Sequence, residues 1–246
     1  MTKKTIYIDS LKNLSDWTPY LLAESGLPGP RGNLELAAAA AELGDETRFM
    51  QLIQSDLHQG SSSANEYLPF CGVVGLGRLL AAGKRHVLPL LHQYANDSRW
   101  RLREGVAIAF QNWGKENMDA LLDEMQEWCK GTLLEQRACA AALCEPVLLN
   151  KAEQVQRVLD ILDGITDSLT RQPNRKLEDF RALRQGLAYC WSVAVAALPE
   201  VGKIKMEQWM ESSDVDVRWV MRENLKKNRL VKVDTAWVKS GLERMG

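Results

Sequence analysis

The chain has 246 residues, 46% hydrophobic and 26% charged, with a formal net charge of −1 from 31 Lys+Arg against 32 Asp+Glu. That hydrophobic share and the eight tryptophans exclude intrinsic disorder, and the length suits one well-filled domain or a solenoid. Near-neutrality argues against a protein that grips nucleic acid or membrane through bulk charge alone.

The first residues, MTKKTIYIDS, carry two lysines with no apolar run behind them, unlike a secretory signal. The longest nearly unbroken apolar run, Leu187–Leu198, is far short of the roughly 20 residues that span a bilayer. It predicts a buried helix, and no membrane partner is expected. The five cysteines (Cys71, Cys129, Cys139, Cys144, Cys190) are odd in number and contain no C-x-x-C, so they read as free thiols packed like small hydrophobes. A soluble cytoplasmic protein follows as the expectation.

Thr5–Ile8 (TIYI) is the one stretch with strand character, too short and isolated to build a sheet. One helix is predicted from about Ser10 to Glu24. The turn-rich connector Ser25–Gly32 (SGLPGPRG) ends it. Helix pairs follow. Their first helices start near Asn33, Asn65, Ser98, Thr132, Leu177 and Ser213, and their second helices near Asp45, Lys84, Lys115, Lys151, Val201 and Val233. The first-helix starts lie 32, 33, 34, 45 and 36 residues apart, the period of an α-solenoid.

Internal similarity supports the period. The segments Arg103–Phe110, Arg137–Cys144, Arg184–Trp191 and Arg218–Leu225 align on their arginines. Gly105, Cys139 and Gly186 stand two places after the arginine, where a small residue lets helices approach, and Val220 breaks the pattern in the fourth copy. The long interval is taken up between Asp167 and Phe180, where Pro173-Asn174 marks an extended loop with clustered basic residues. The fold class is therefore all-α: a right-handed α-solenoid, an armadillo-like superhelix of about six helical pairs plus an N-terminal helix. It is read as a single domain over 1–246, with 1–32 as helix and connector and 33–246 as repeats.

The segment Ser212–Leu225 (SSDVDVRWVMRENL) resembles the HEAT repeat, whose first helix opens with Asp, then a Val-Arg pair, at positions matched by Asp216, Val217 and Arg218. The resemblance implies a scaffold that cradles its partner on a concave face. Asp97–Gln111 (DSRWRLREGVAIAFQ) is similar to a segment of the bacterial alkylpurine DNA glycosylases built from HEAT-like repeats. In that superfamily a Trp-x-x-Arg element, here Trp100 and Arg103, precedes the same kind of apolar helix and its arginine faces DNA phosphate. The family also needs an Asp flanked by Trp in the preceding repeat, and His86–Ala95 (HVLPLLHQYA) holds neither. The resemblance thus implies DNA-alkylation-repair-like binding, probing phosphate without base excision.

The total charge hides an uneven spread. Residues 1–115 carry +1, 116–167 carry −7 and 168–246 carry +5. Arg218, Arg222, Lys226 and Arg229 stand at helical spacing as one basic stripe, suited to phosphates or an acidic helix. A solvated face near a helix C-terminus is the plainer reading of the same residues. Arg103, Arg137, Arg184 and Arg218 would form a ladder in stacked repeats, expected to pair with Asp97, Glu135, Asp179 and Asp216, because unpaired buried arginines are too costly. The tryptophans are expected in the core, except Trp100 and Trp219 beside arginines.

No catalytic residue is assigned. His58, His86 and His92 have no shared helix face for a metal, so no metal site is expected. Gly72–Gly77 (GVVGLG) follows no strand and reads as close helix packing rather than a nucleotide loop. Asp119, Asp123, Asp160 and Asp163 are expected on exposed faces of second helices. No cofactor is implied. Two functions remain. The first is a non-enzymatic scaffold holding a protein or peptide, a basic segment meeting the acidic second helices. The alternative is a nucleic-acid-binding protein using Trp100, Arg101, Arg103, Arg218, Trp219, Arg222 and Lys226, with Arg99. If the chain is an enzyme, it is glycosylase-like.

Overall fold

The computed structural model describes residues 2–55 and 65–246; His58 lies outside them. The described residues hold fifteen α-helices and no strand. They gather into two compact units, residues 1–116 and 117–246.

In the first unit the helices are α1 (Lys3–Lys12), α2 (Thr18–Ala23), α3 (Leu34–Leu43), α4 (Glu46–Gln54), α5 (Tyr67–Ala81), α6 (Leu88–Ala95) and α7 (Trp100–Glu116). Side chains set several starts. Asn33 accepts from Leu36 N at 3.1 Å and Asp45 from Arg48 N at 2.8 Å, each satisfying an orphan N–H of a first turn. The alanine-rich α3 packs between α1 and α5, and α5 packs on α7 and α4. Where α5 crosses α7, a Cβ on Gly77 would lie 2.1 Å from the Ala109 carbonyl oxygen, so the two backbones meet there. A Cβ on Gly72 or Gly75 would likewise crowd Ile53 and Phe49 of α4, at 2.7 and 2.3 Å. The glycine run is a helix contact, as its lack of a preceding strand implied.

The N-terminal segment departs from expectation. A single helix from Ser10 to Glu24 is replaced by α1 and α2, and Thr5–Ile8 is helical within α1. The chain breaks after Lys12, and the Trp17 indole spans the break by donating to Leu11 O at 3.0 Å.

The second unit holds α8 (Met118–Trp128), α9 (Leu133–Leu143), α10 (Ala152–Thr170), α11 (Glu178–Ala197), α12 (Pro199–Met210), α13 (Val215–Leu225), α14 (Asn228–Val233) and α15 (Thr235–Met245). Thr132 and Glu135 close a reciprocal capping box on α9. The first helices pack in series, α9 on α11 on α13, while α8, α10, α12 and α15 form the second layer. The apolar run 187–198 lies in α11, with Trp191 fully buried and its indole donating to Thr166 at 3.0 Å. Buried Asn224 of α13 clasps α11, accepting from Ser192 N at 2.7 Å and donating to Leu187 O at 2.9 Å. No helix among the described residues is long and apolar enough to cross a membrane.

Two further expectations fail here. The short α14 was absent from the predicted pairs. It also removes Arg229 from the proposed stripe, because α13 ends at Leu225.

Candidate nucleic-acid interface

Leu34, Tyr67 and Trp100 occupy the first position of α3, α5 and α7, each 33 residues after the last. The repeat therefore brings three helix N-termini to one place in the first unit. A cleft of about 330 Å³ opens there, lined by Pro30, Arg31, Gly32, Leu34, Tyr67, Phe70, Trp100, Arg101, Glu104 and Ile108. Tyr67 and Phe70 are buried and form its floor, whereas Trp100 is 47% exposed. Trp100, Glu104 and Ile108 recur every fourth residue and so form one stripe of α7 along the wall.

The opposite wall is the Ser25–Asn33 connector, and it is fixed. Ser25 is fully buried and its carbonyl accepts from Asn33 N at 2.8 Å. Asn33 Nδ2 donates to Glu24 O and to Tyr7 Oη, both at 2.9 Å. Tyr67 Oη donates to Asn33 O at 2.6 Å. Gly26, at φ +73°, supplies the left-handed turn that other residues resist.

Arg101 joins the two walls. Its Nη2 donates to Gly29 O at 3.0 Å, its Nη1 meets Glu66 Oε2 at 3.3 Å, and its guanidinium lies 4.7 Å from the centre of the Trp100 ring. One face of Trp100 is therefore covered by a cation. Helix N-termini are positive, and α3 and α7 both begin at the cleft's edge, at Leu34 and Trp100. The cleft combines an exposed aromatic face, a carboxylate and a positive rim.

The other sequence-selected residues have structural tasks. Arg103 is buried and donates to Asp97 O at 2.7 Å and Ser98 O at 2.8 Å, fastening the turn ahead of α7. The Asp97 carboxylate, expected to pair with Arg103, instead holds Arg99 at 2.7 Å. Burial pushes the Asp97 carboxyl up, but its bonds from Arg99 outweigh this and hold it below the usual carboxylate range. In the second unit Arg218 donates to Met210 O and Met245 O, both at 3.2 Å, and Arg222 to Met245 O and Gly246 O. Lys226 pairs with Glu223 at 2.5 Å. Trp219 lies beneath Arg184, whose guanidinium is 4.4 Å from its ring centre. Arg229 binds the Tyr189 hydroxyl at 2.5 Å. The four cations thus form no continuous stripe.

Of the ladder arginines, Arg184 pairs with an acid, whereas Arg103 and Arg218 bond backbone carbonyls. Arg184 binds Asp216 of the next first helix rather than Asp179, and Arg175 from the 167–180 loop binds both Asp214 and Asp216. Arg137 packs its stem on α11, where a Cβ on Gly186 would lie 3.3 Å from Arg137 Cγ. The acids of the second layer are engaged too. Asp123 binds Arg157 at 2.6 Å, Asp119 accepts from Gln154 at 3.0 Å, and Asp163 accepts from Trp209 at 2.6 Å and Lys205 at 3.2 Å. These pairs run between neighbouring second helices and reduce the acidic charge left for a basic partner. Among the described residues no group of His, Cys, Asp or Glu gathers as a metal site.

Arg31, Leu34, Tyr67, Phe70, Glu104 and Ile108 were not selected from the sequence. The 33-residue spacing of Leu34, Tyr67 and Trp100 was the signal that could have found the cleft.

The fold and this cleft define an all-helical protein of stacked HEAT-like pairs. No known protein-family profile matches the chain, and no curated protein matches its sequence. Among solved structures, its fold is similar to that of AlkD2 from Streptococcus mutans, at 17% identity and a TM-score of 0.64, covering 85% of this chain and 96% of that one. An engineered protein aligns over 98% of both chains at 15% identity, with a TM-score of 0.34 that supports no argument.

Proposed function

We propose that the protein binds nucleic acid through the cleft of its first unit, as a HEAT-like relative of the DNA-alkylation-repair type acting as a binder. The observation that carries this is the half-exposed Trp100 ring, backed by Arg101, at a cleft where three helix N-termini converge. Aromatic faces stack bases at about 1–3 kcal/mol each, and the exposed Arg31 on the cleft's rim suits a phosphate. The fold likeness to AlkD2 and the similarity of Asp97–Gln111 to alkylpurine glycosylases support the same reading.

Of the residues selected from the sequence, the proposal assigns Trp100 to stacking and Arg101 to holding it. It gives Arg103, Arg218 and Arg222 no nucleic-acid contact, since their bonds to backbone carbonyls hold the fold, and none to Lys226, which lies in the second unit and pairs with Glu223. The protein-scaffold reading stays the alternative: Arg157 and Lys205 pair with acids of the second helices, but Asp119, Asp123 and Asp160 keep more than half of their side chains exposed to a basic partner.

Fluorescence titration of labelled single-stranded and duplex DNA at low salt tests the proposal. Binding should weaken with salt at a log–log slope of about −0.7 per phosphate contacted on a single strand. Trp100→Ala should weaken it roughly tenfold, the loss of one stacked base. No binding to either form by folded protein at low salt ends the reading.

A further inference from the structure

We infer that the cleft reads the C5 methyl group of an unpaired pyrimidine, and so takes thymine in preference to uracil, an inference that rests on the nucleic-acid reading above. The state of its polar side chains carries it. Tyr67 spends its hydroxyl on Asn33 O at 2.6 Å. Arg101 spends both Nη groups on Gly29 O and Glu66, and its Nε is buried. Glu104 has an interaction of its own within the protein. The Trp100 N–H lies in the plane of its ring and so points away from a base stacked on the ring face. These groups are committed to the fold, and the exposed Arg31 on the rim is left for a phosphate.

What the lining offers the edge of a base is carbon. Leu34 begins α3 and Trp100 begins α7, on either side of α5, which packs on both helices and supplies Phe70 to the floor. Ile108 continues the Trp100 wall two helical turns along α7, about 12 Å up the axis. Leu34 is 51% exposed, an apolar surface that a methyl group would take out of water. On such a lining pyrimidines differ less by their hydrogen-bonding edges than by the apolar surface they bury. Thymine exceeds uracil by one methyl, and burying one such group corresponds to about fourfold in affinity. Within a duplex the ring faces are covered by neighbouring bases, so the stacked pyrimidine is an unpaired one.

The test is anisotropy of end-labelled deoxyribose homopolymers, oligo(dT), oligo(dU), oligo(dC) and oligo(5-methyl-dC), at low salt with the intact protein. Thymine and uracil share one hydrogen-bonding edge, as do the two cytosines, so only the methyl changes within each pair. Oligo(dT) should bind about fourfold tighter than oligo(dU), and the methylated cytosine strand should gain similarly over oligo(dC). Leu34→Ser or Ile108→Thr should bring both ratios to within about twofold, whereas Leu34→Met, which stays apolar, should keep them. Leu34 is half exposed, so its variants leave the core intact, and circular dichroism checks the fold. Arg31→Gln should lower the salt slope by about 0.7 and leave both ratios unchanged. If the strands bind but either pair lacks the advantage, or the advantage survives both Leu34→Ser and Ile108→Thr, the methyl assignment is overturned while the nucleic-acid function stands. If no strand binds, that function itself fails.

Discussion

Arg184 on α11 donates to the carboxylate of Asp216 on α13, so one first helix of the second unit is tied to the next by charge. Asp216 also accepts from Arg175 at 2.8 Å, and that arginine, from the loop ahead of α11, grips Asp214 as well. The Asp216 side chain is 11% exposed, whereas the two arginines keep about a third of theirs in water. Removing the shared carboxylate leaves Arg184 without its acid at a helix interface, while Arg175 keeps Asp214. Breaking a buried pair costs about 3–5 kcal/mol, and the partial exposure of the arginines reduces this. Asp216→Asn should therefore destabilise the protein by about 2 kcal/mol, read as a lower urea midpoint with an unchanged slope. An unchanged midpoint would show the clasp to be idle.

The same clasp predicts an acid-sensitive contribution. The hydrogen bonds from Arg175 hold the Asp214 carboxyl below its ordinary value of 3.8, although burial pushes it up. A carboxylate with a depressed folded pKa stabilises the fold above its unfolded value, and that stability is lost as pH falls through the folded value. Urea midpoints should thus decline below about pH 4 more steeply in the wild type than in Arg175→Gln, where the depression is relieved. Parallel pH profiles would show that Arg175 does not set this titration.

Two helical glycines should respond with opposite sign to alanine. At Gly77 the new Cβ would meet the Ala109 backbone at 2.1 Å, and backbone cannot swing aside, so α5 and α7 must separate. Gly77→Ala should cost about 2–3 kcal/mol, the upper range of overpacking. At Gly164 in α10 a Cβ meets nothing within 4 Å. Gly164→Ala should therefore stabilise, by up to about 1 kcal/mol of helix propensity. Thermal melts of both variants check the contrast, and a destabilised Gly164→Ala would refute the account of open space there.

The architecture was legible because it is local. Asn33, Asp45 and Thr132 announce helix starts by side-chain chemistry confined to one turn, and the structure caps α3, α4 and α9 on them. The helix α14 escaped because six residues hold under two turns, too few for periodicity to show. Ladder partners escaped for another reason. Arg184 lies near Asp179 in sequence, but stacking places Asp216 of the following repeat against it, and only packing decides between them. The cleft is likewise non-local. Tyr67 and Phe70 read as core residues and Arg31 as loop, until three helix starts 33 residues apart bring them around Trp100.

Arg101 separates positioning from plain charge. A guanidinium can bond Gly29 O, meet Glu66 and lie over the Trp100 ring at once, and an ammonium cannot reproduce that set of contacts. Arg101→Lys and Arg101→Gln should then weaken single-strand binding alike, by about tenfold, as the stacking ring loses its support. The salt slope should stay at its wild-type value in both, because no phosphate contact is removed. Tryptophan emission should shift to the red in both variants as Trp100 loosens into water. A Lys variant that binds like wild type, or a slope that falls by about 0.7 in the Gln variant, would instead make Arg101 a phosphate ligand.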